Sequence, residues 1–272
     1  MLSSRVLRIA AIALAVLAPA RAEEADDRSI DALATRETLV VAGRTAFVME
    51  PPEATRDTGP RPWVGYAATL GNGLPGNAEK WMFDRFHAAG IAIAGIDVGE
   101  SYGSPDGRAH YQTLYDHLTR QRGYAARPVL LARSRGGLML YNWAVEHPAA
   151  VGGIAGIYPV CNIASYPGVA RAAGAYKMSA AELTRRLPEH NPIERLEPLA
   201  KAKVPIYHIH GDRDGTVPLD ANSALLGKRY AAYGGPVEIE VIPGQGHNMW
   251  RGWFESQPLT DFILARALDQ PR

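Results

Sequence analysis

Short apolar runs alternate along this chain with segments whose apolar positions recur every three or four residues. "TLVVAG" and "RTAFVMEPP" read as two strands of an opening hairpin, ended by Pro51 and Pro52. After the turn-rich stretch "ATRDTGPRP" come five further candidate buried strands, "WVGYAATL", "IAIAGIDV", "PVLLA", "VGGIAGIYPV" and "VPIYHIHG", and then a last one, "VEIEVIP". Helical patterns separate most of them: "AEKWMFDRFHAAG", "RAHYQTLYDHLTRQRGY", "LMLYNWAVEHP" and a segment over 219–233, with a closing helix over about 254–267. Residues 162–203 break the rhythm. They hold helix-length pieces but no strand and are punctuated by Pro167, Pro188, Pro192 and Pro198, the pattern of an inserted helical cap. Strand and helix in regular alternation predict an α/β fold, a mostly parallel sheet with helices on both faces, in one domain over 23–272 with the cap at about 162–203. In such a sheet reactive groups gather in the crevice at the carboxyl ends of the strands, so the residues just after each strand carry the information.

Three post-strand positions stand out. Ser134 follows "VLLA" in "VLLARSRGGLMLY", where a strand stops and a helix begins. Two readings fit that stretch alone: a polar turn with glycine, or a strained turn that lifts a serine hydroxyl above the sheet edge. "HIHGDRDGTVP" supplies Asp212 and Asp214 after a later strand, and "PGQGHNMW" supplies His247 after the last. A serine hydroxyl is a poor nucleophile until a base takes its proton. A histidine does so near neutral pH, and an ionised aspartate fixes its tautomer and stabilises the imidazolium. The presence of both partners after later strands selects the nucleophile reading.

The order Ser134, Asp, His247 and the stretches "ARSRGG", "HGDRDGTVP" and "PGQGH" resemble the α/β-hydrolase superfamily; the last two stretches are similar to its prolyl-oligopeptidase and acyl-esterase branches. The resemblance covers nearly all of the chain from Thr38 and implies the α/β-hydrolase fold, with Ser134 as nucleophile and His247 as base. The family pattern sets the acid three residues after a Gly and three before a Val, which between Gly211 and Val217 marks Asp214. Asp212 is then expected to brace the loop through backbone N–H groups. The resemblance also implies a backbone oxyanion hole, with one donor from Arg135 and a second from Thr69 or Leu70. One departure is Ala132 where the family's elbow has its first Gly; a small residue is what that position requires. The implied activity is hydrolysis of a carboxylic ester through an acyl-enzyme, without metal or organic cofactor. Two alternatives stay open: a peptidase or amidase of the prolyl-oligopeptidase type, and a non-catalytic binding protein on the same scaffold.

Composition changes the picture at the start of the chain. Residues 1–22 combine Arg5 and Arg8, an apolar run from Ile9 to Leu17, and Ala20-Arg21-Ala22, the pattern of a cleaved secretory signal; a short membrane anchor is the alternative. Removing that segment with its three arginines takes the formal charge from +1 to −2, and the expectation is a secreted or periplasmic protein with no stable membrane insertion after cleavage. Near-neutral charge offers no nucleic-acid footprint. A carbohydrate or other small-molecule ester is the expected partner. Cys161, the single cysteine, reads as a small buried hydrophobe. Arg133 and Arg135 are read as structural, with Asp97 or Glu100 as partners, against contact with an anionic or carbohydrate substrate. Among the aromatics expected at the mouth (Tyr102, Tyr158, Tyr166, Tyr176, Trp250 and Trp253), Tyr102 and Trp250 are the candidate substrate contacts. His208 and His210 read as structural, since "HIH" alone does not build a metal site.

Overall fold

The computed structural model describes residues 30–56, 58–70 and 75–269. The signal expected at 1–22 lies outside the described residues. Eight strands form one sheet: β1 (Arg36–Val41), β2 (Arg44–Met49), β3 (Trp63–Ala67), β4 (Ala92–Ile96), β5 (Val129–Arg133), β6 (Gly153–Ile157), β7 (Ile206–Gly211) and β8 (Val237–Ile242). Their order across the sheet is β1-β2-β4-β3-β5-β6-β7-β8. β1 and β2 pair antiparallel, as does β2 with β4, and every later pair is parallel. The opening hairpin of the sequence is therefore the antiparallel edge of an otherwise parallel sheet.

Because successive side chains in a strand point to opposite faces, each central strand feeds two cores. Leu130 and Ala132 of β5 pack on one face with Tyr111 and Leu114, Met139 and Tyr141, and Leu226 and Tyr230. These come from α2 (Pro105–Asp116), α3 (Gly136–Ala144) and α8 (Ser223–Ala232). Val129 and Leu131 pack on the other with Met82, Phe83 and Phe86 of α1 (Lys80–Ala88) and Leu259 and Ile263 of α10 (Gln257–Leu268). Full burial of each such large side chain contributes about 1.5–3 kcal/mol. The closing helix begins later than its apolar pattern suggests. Ser256 caps α10 by accepting the Leu259 N–H, and residues 251–254 form a separate short turn, α9 (Arg251–Phe254).

Residues 162–203 contain only short helices: α4 (Val169–Ala172), α5 (Ala180–Arg185), α6 (Leu187–His190) and α7 (Glu197–Lys201), with intervening 3₁₀ turns. Their apolar side chains, Ile163, Tyr176 and Leu183 among them, pack with Tyr102, Leu138, Val160 and Val217 over the carboxyl end of the sheet. Asparagines fasten the base of this segment. Asn222 Oδ1 accepts the N–H groups of Cys161 and Asn162 at 2.9 and 3.2 Å, and Asn191 Oδ1 accepts that of Ile163 at 2.9 Å. Arg195 spans to α3, donating to Asn142 at 3.0 Å and to Glu146 at 2.9 Å; Glu146 also pairs with the buried Arg108. Cys161 is fully buried, and burial pushes its thiol far above the ordinary range.

His208 lies in the middle of β7, fully buried, and desolvation pushes its imidazole down to about 3. The unfolded chain takes up this proton near pH 6.5 and the folded one near 3, so the contribution to stability is complete above pH 6.5 and fades as pH falls through that window. His208→Gln is expected to flatten the fall of unfolding free energy across that window by up to about 1.4 kcal/mol per pH unit. Urea unfolding at stepped pH measures it, and an unchanged slope contradicts the assignment.

Candidate active site

β5 runs into α3 through a single residue in the left-handed region, Ser134, at φ +49°. A non-glycine residue there costs roughly 1–2 kcal/mol, and the surrounding backbone holds it in place. Ser134 N–H donates to the Ile157 carbonyl at 3.0 Å, and its own carbonyl accepts from Gly137 and Val160 at 3.0 and 2.8 Å. The two residues after Arg135 must be glycine for lack of space. A Cβ on Gly136 would sit against the Ala67 carbonyl, and one on Gly137 against that of Val160. Ala132 is completely buried, paired with Ala67 on one side and Gly156 on the other, which is why a small side chain suffices there.

The tight turn aims the Ser134 hydroxyl at His247. Ser134 Oγ lies 2.9 Å from His247 Nε2, and His247 Nδ1 lies 2.8 Å from Asp214 Oδ2. A carboxylate only accepts, so the imidazole proton sits on Nδ1 and Nε2 is free to accept from the serine. Asp214 Oδ1 accepts two backbone N–H groups, from Thr216 at 2.9 Å and Val217 at 2.8 Å. Burial alone would raise the Asp214 carboxyl; the His210 ring, 3.4 Å away, and hydrogen bonds from His247 and the Val217 N–H outweigh it and hold the group well below the usual carboxylate range. Three groups from the ends of β5, β7 and β8 thus form one hydrogen-bonded series, in which the base can take the serine proton.

Asp212 stands apart from that series. Its Oδ1 accepts the N–H of Gly244 at 2.7 Å, so it ties the loop after β7 to the loop after β8 that carries His247. The bracing expected of it is directed at the neighbouring loop. Gly211 lets those loops meet, because a Cβ there would occupy the Gln245 carbonyl.

Arg135 opens α3, and the first N–H groups of a helix have no partner within it. Ala67 and Ala68 lie against Gly136, which brings the end of β3, and with it Thr69 and Leu70, beside the elbow. Thr69 is buried, and its hydroxyl has no hydrogen-bond partner among the described residues. Residues 71–74 of that loop lie outside the described residues.

The two arginines have different partners from one another. Arg135 pairs with Glu100, one of the two carboxylates expected, at the surface. Arg133 instead meets Glu79 at 2.7 Å. Glu79 is buried at the start of α1; it also accepts from the Tyr66 hydroxyl at 2.8 Å and from the Gly76 N–H at 3.0 Å. The strand order β4-β3-β5 makes the difference, because β3 separates β5 from β4 on one side and leads into α1. A signal for Glu79 existed only as one acidic residue at the start of a helical pattern.

Tyr158, the first residue after β6, carries no sequence signal beyond that of a mouth aromatic, and its ring centroid lies 4.4 Å from that of His247. Its hydroxyl donates to the Asn248 carbonyl at 3.1 Å, and burial pushes it up to about 12. Trp253 packs edge-on to Tyr158, and Trp250 edge-on to Trp253. Trp250 is 40% exposed and Met249 60%, forming an apolar lip just after His247. Tyr102, by contrast, is buried beneath the cap, where its carbonyl accepts the Tyr176 hydroxyl at 2.8 Å. Among the described residues no group of three or more His, Cys, Asp and Glu is placed to hold a metal ion, and no helix is long and apolar enough to cross a membrane.

No protein-family model matches the sequence, and no curated protein matches it. Solved structures do resemble the fold. A puromycin-hydrolyzing peptidase of Mycobacterium tuberculosis superposes with a TM-score of 0.66 at 16% identity, over 86% of this chain and 39% of its own. The acylaminoacyl peptidase of Pyrococcus horikoshii gives 0.66 at 13% identity, over 87% and 42%. Est1E from Butyrivibrio proteoclasticus gives 0.65 at 15% identity, over 86% of this chain and 100% of its own. This chain thus spans about two fifths of the length of those two peptidases and the whole of Est1E. The fold is the α/β-hydrolase fold.

Glu79 and Glu100 are expected to contribute very differently to stability. Glu79→Leu leaves Arg133 without its carboxylate in a mostly buried site and should cost about 3 kcal/mol or more. Glu100→Ala breaks a surface pair and should cost under about 1 kcal/mol. Chemical denaturation of the two variants checks the ranking, and equal losses contradict it.

Proposed function

We propose that this protein is an exported serine hydrolase that cleaves a carboxylic ester through a covalent acyl-enzyme. The observation that carries the proposal is the hydrogen-bonded series Ser134–His247–Asp214 at a left-handed strand-to-helix turn. In the first step Ser134 Oγ bonds to the ester carbonyl carbon while its proton passes to His247 Nε2. Asp214 stabilises the imidazolium without taking a proton. The carbonyl oxygen, now negative, is held by the Arg135 N–H and a second backbone N–H, assigned to Thr69 or Leu70. His247 then returns its proton to the alkoxide as the C–O bond breaks. Water, giving a proton to His247, attacks the acyl carbon; the imidazolium then returns a proton to Ser134 Oγ as the acyl C–O bond breaks and the carboxylic acid leaves.

The apolar lip of Met249 and Trp250 beside His247 suits an acyl chain, an aryl group or the face of a sugar ring. Export, inferred from the residues 1–22 pattern, favours a substrate met outside the cytoplasm, such as an acylated carbohydrate. Trp250 is the more accessible of the two candidate substrate contacts; Tyr102 would act through the shape of the cap above it. A second reading, peptidase or amidase, draws support from the peptidases that share the fold, because the same relay serves an amide.

A panel of p-nitrophenyl esters of rising chain length, run beside an aminoacyl anilide, separates the two. Turnover of the esters alone is expected; turnover of the anilide alone favours the peptidase. A fluorophosphonate probe is expected to label Ser134, with Ser134→Ala abolishing both label and turnover; labelling that survives the substitution contradicts the assignment. Asp214→Asn, which preserves shape and disturbs the imidazole tautomer, should lower kcat by about 10⁴, and Asp212→Asn by far less. Equal losses at matched thermal stability would transfer the acid role. Replacing 162–203 by a short linker should reorder substrate preference, and an unchanged ranking on a folded protein would remove the cap from substrate selection.

A further inference from the structure

The two histidines of β7 lie on one face of the strand and point into the core between α3 and α8, outside the series that holds Ser134. Both are completely buried, and both are hydrogen-bonded at both ring nitrogens. Tyr141 Oη lies 2.7 Å from His208 Nε2, and His208 Nδ1 lies 3.0 Å from Ser223 Oγ. Ser223 Oγ lies 2.8 Å from His210 Nδ1, and His210 Nε2 lies 2.8 Å from the Val217 carbonyl and 3.4 Å from Asp214 Oδ2.

The direction of every bond follows from the two ends. A backbone carbonyl only accepts, so His210 Nε2 carries a proton, and with His208 held neutral by burial the one assignment that pairs every donor, the Tyr141 hydroxyl included, has His210 Nδ1 accept. Ser223 then donates its single proton to His210, which leaves its oxygen to accept from His208 Nδ1–H. His208 Nε2 is therefore an acceptor and takes the Tyr141 hydroxyl proton. At the far end the only hydrogen-bond partner of the Tyr141 hydroxyl among the described residues is that nitrogen, and burial keeps the phenol protonated. Burial likewise keeps His208 neutral. Tyr141, His208, Ser223 and His210 thus form a chain of four donors pointing one way, with its last N–H aimed at the loop that carries Asp214.

That N–H reaches both oxygens of the Asp214 carboxylate by different routes. It approaches Oδ2 directly, the same oxygen that accepts from His247 Nδ1. It reaches Oδ1 through Val217, whose carbonyl it binds and whose own N–H donates to Oδ1 at 2.8 Å. We propose that His210, oriented by Ser223, His208 and Tyr141, is a positioning residue that sets the Asp214 carboxylate against His247. This rests on the serine-hydrolase reading above for its consequence in rate, and on geometry alone for its consequence at His247.

The test uses the intact protein and three variants. His210→Leu removes the donor, His210→Gln offers an amide N–H near the position of Nε2, and Ser223→Ala leaves the ring but removes the donor that fixes its tautomer. The first readout is the proton on His247 Nδ1, seen by NMR as a far-downfield signal when it is bonded to a carboxylate. It is expected in the native protein, shifted upfield or lost in His210→Leu, and recovered in His210→Gln. The second is the rate of Ser134 labelling by a fluorophosphonate. A displacement of the acid on the ångström scale should slow it about 10- to 100-fold in His210→Leu. The Gln variant should recover most of that loss, and Ser223→Ala should show a smaller loss in the same direction. If His210→Leu does not fold, Ser223→Ala and His210→Gln carry the comparison. A folded His210→Leu with a native His247 signal, or Leu and Gln variants with the same displaced signal, would overturn the positioning role. Absence of labelling in the native protein would instead strike the hydrolase reading and leave the NMR result to decide on His210.

Discussion

The carboxylate of Asp214 is a negative charge taken out of water, and a charge so placed is tolerated only when its acceptor capacity is filled. Two backbone N–H groups fill one oxygen, while the His247 imidazole and the edge of His210 meet the other. Apart from His210, which the sheet fixes in β7, those donors belong to the loops after β7 and β8. The loop after β7 folds back over its own aspartate, and the loop after β8 is drawn toward it by His247 and by the bond from Gly244 to Asp212. Burial of one charge thereby organises two loops that meet at the carboxyl edge of the sheet.

The opposite side of the site depends on backbone crowding. Ser134 keeps a left-handed conformation because its amide and carbonyl are tied to residues at the end of β6 and just beyond it, and because two glycines behind it leave room for the ends of β3 and β6. Strain of this kind persists where surrounding bonds over-determine the backbone. Held in this way, the serine meets His247, and Tyr158, just after β6, lies against the imidazole ring. The two mechanisms are complementary. Asp214 and His247 are located by hydrogen bonds to a charge, and Ser134 by steric exclusion.

Polar groups further inside follow the same rule of satisfaction. Tyr141, His208, Ser223 and His210 sit in an apolar layer, where an unpaired donor would cost more than the bond itself contributes. Glu79, Tyr66 and Arg133 form a second such group on the other face of the sheet, next to α1. Both groups end at the carboxyl edge of the sheet. The core beneath the site is thus stiffened by polar contacts on both faces, and the cap, tied by Asn162, Asn191 and Asn222, lies over it.

The sequence by itself determined the strands, most helix positions and the post-strand residues that meet at the site, because each is written in local periodicity, breakers and spacing. Ser134, Asp214 and His247 were legible because chemistry demands those residue types and a parallel sheet brings the residues after its strands to one edge. The sequence separates Asp214 from Asp212 only through a family pattern; in the structure Asp214 meets His247 and Asp212 meets Gly244. What only the tertiary structure decided were the partners. Glu79 finds Arg133 across 54 positions of sequence, Tyr158 lies against His247, and Ser223 joins two histidines that read as ordinary core residues. The reason is that strand order, β4-β3-β5 on one side and β6-β7-β8 on the other, is a property of how the sheet assembles. Local pattern says that a side chain is buried; only the assembled sheet says against what.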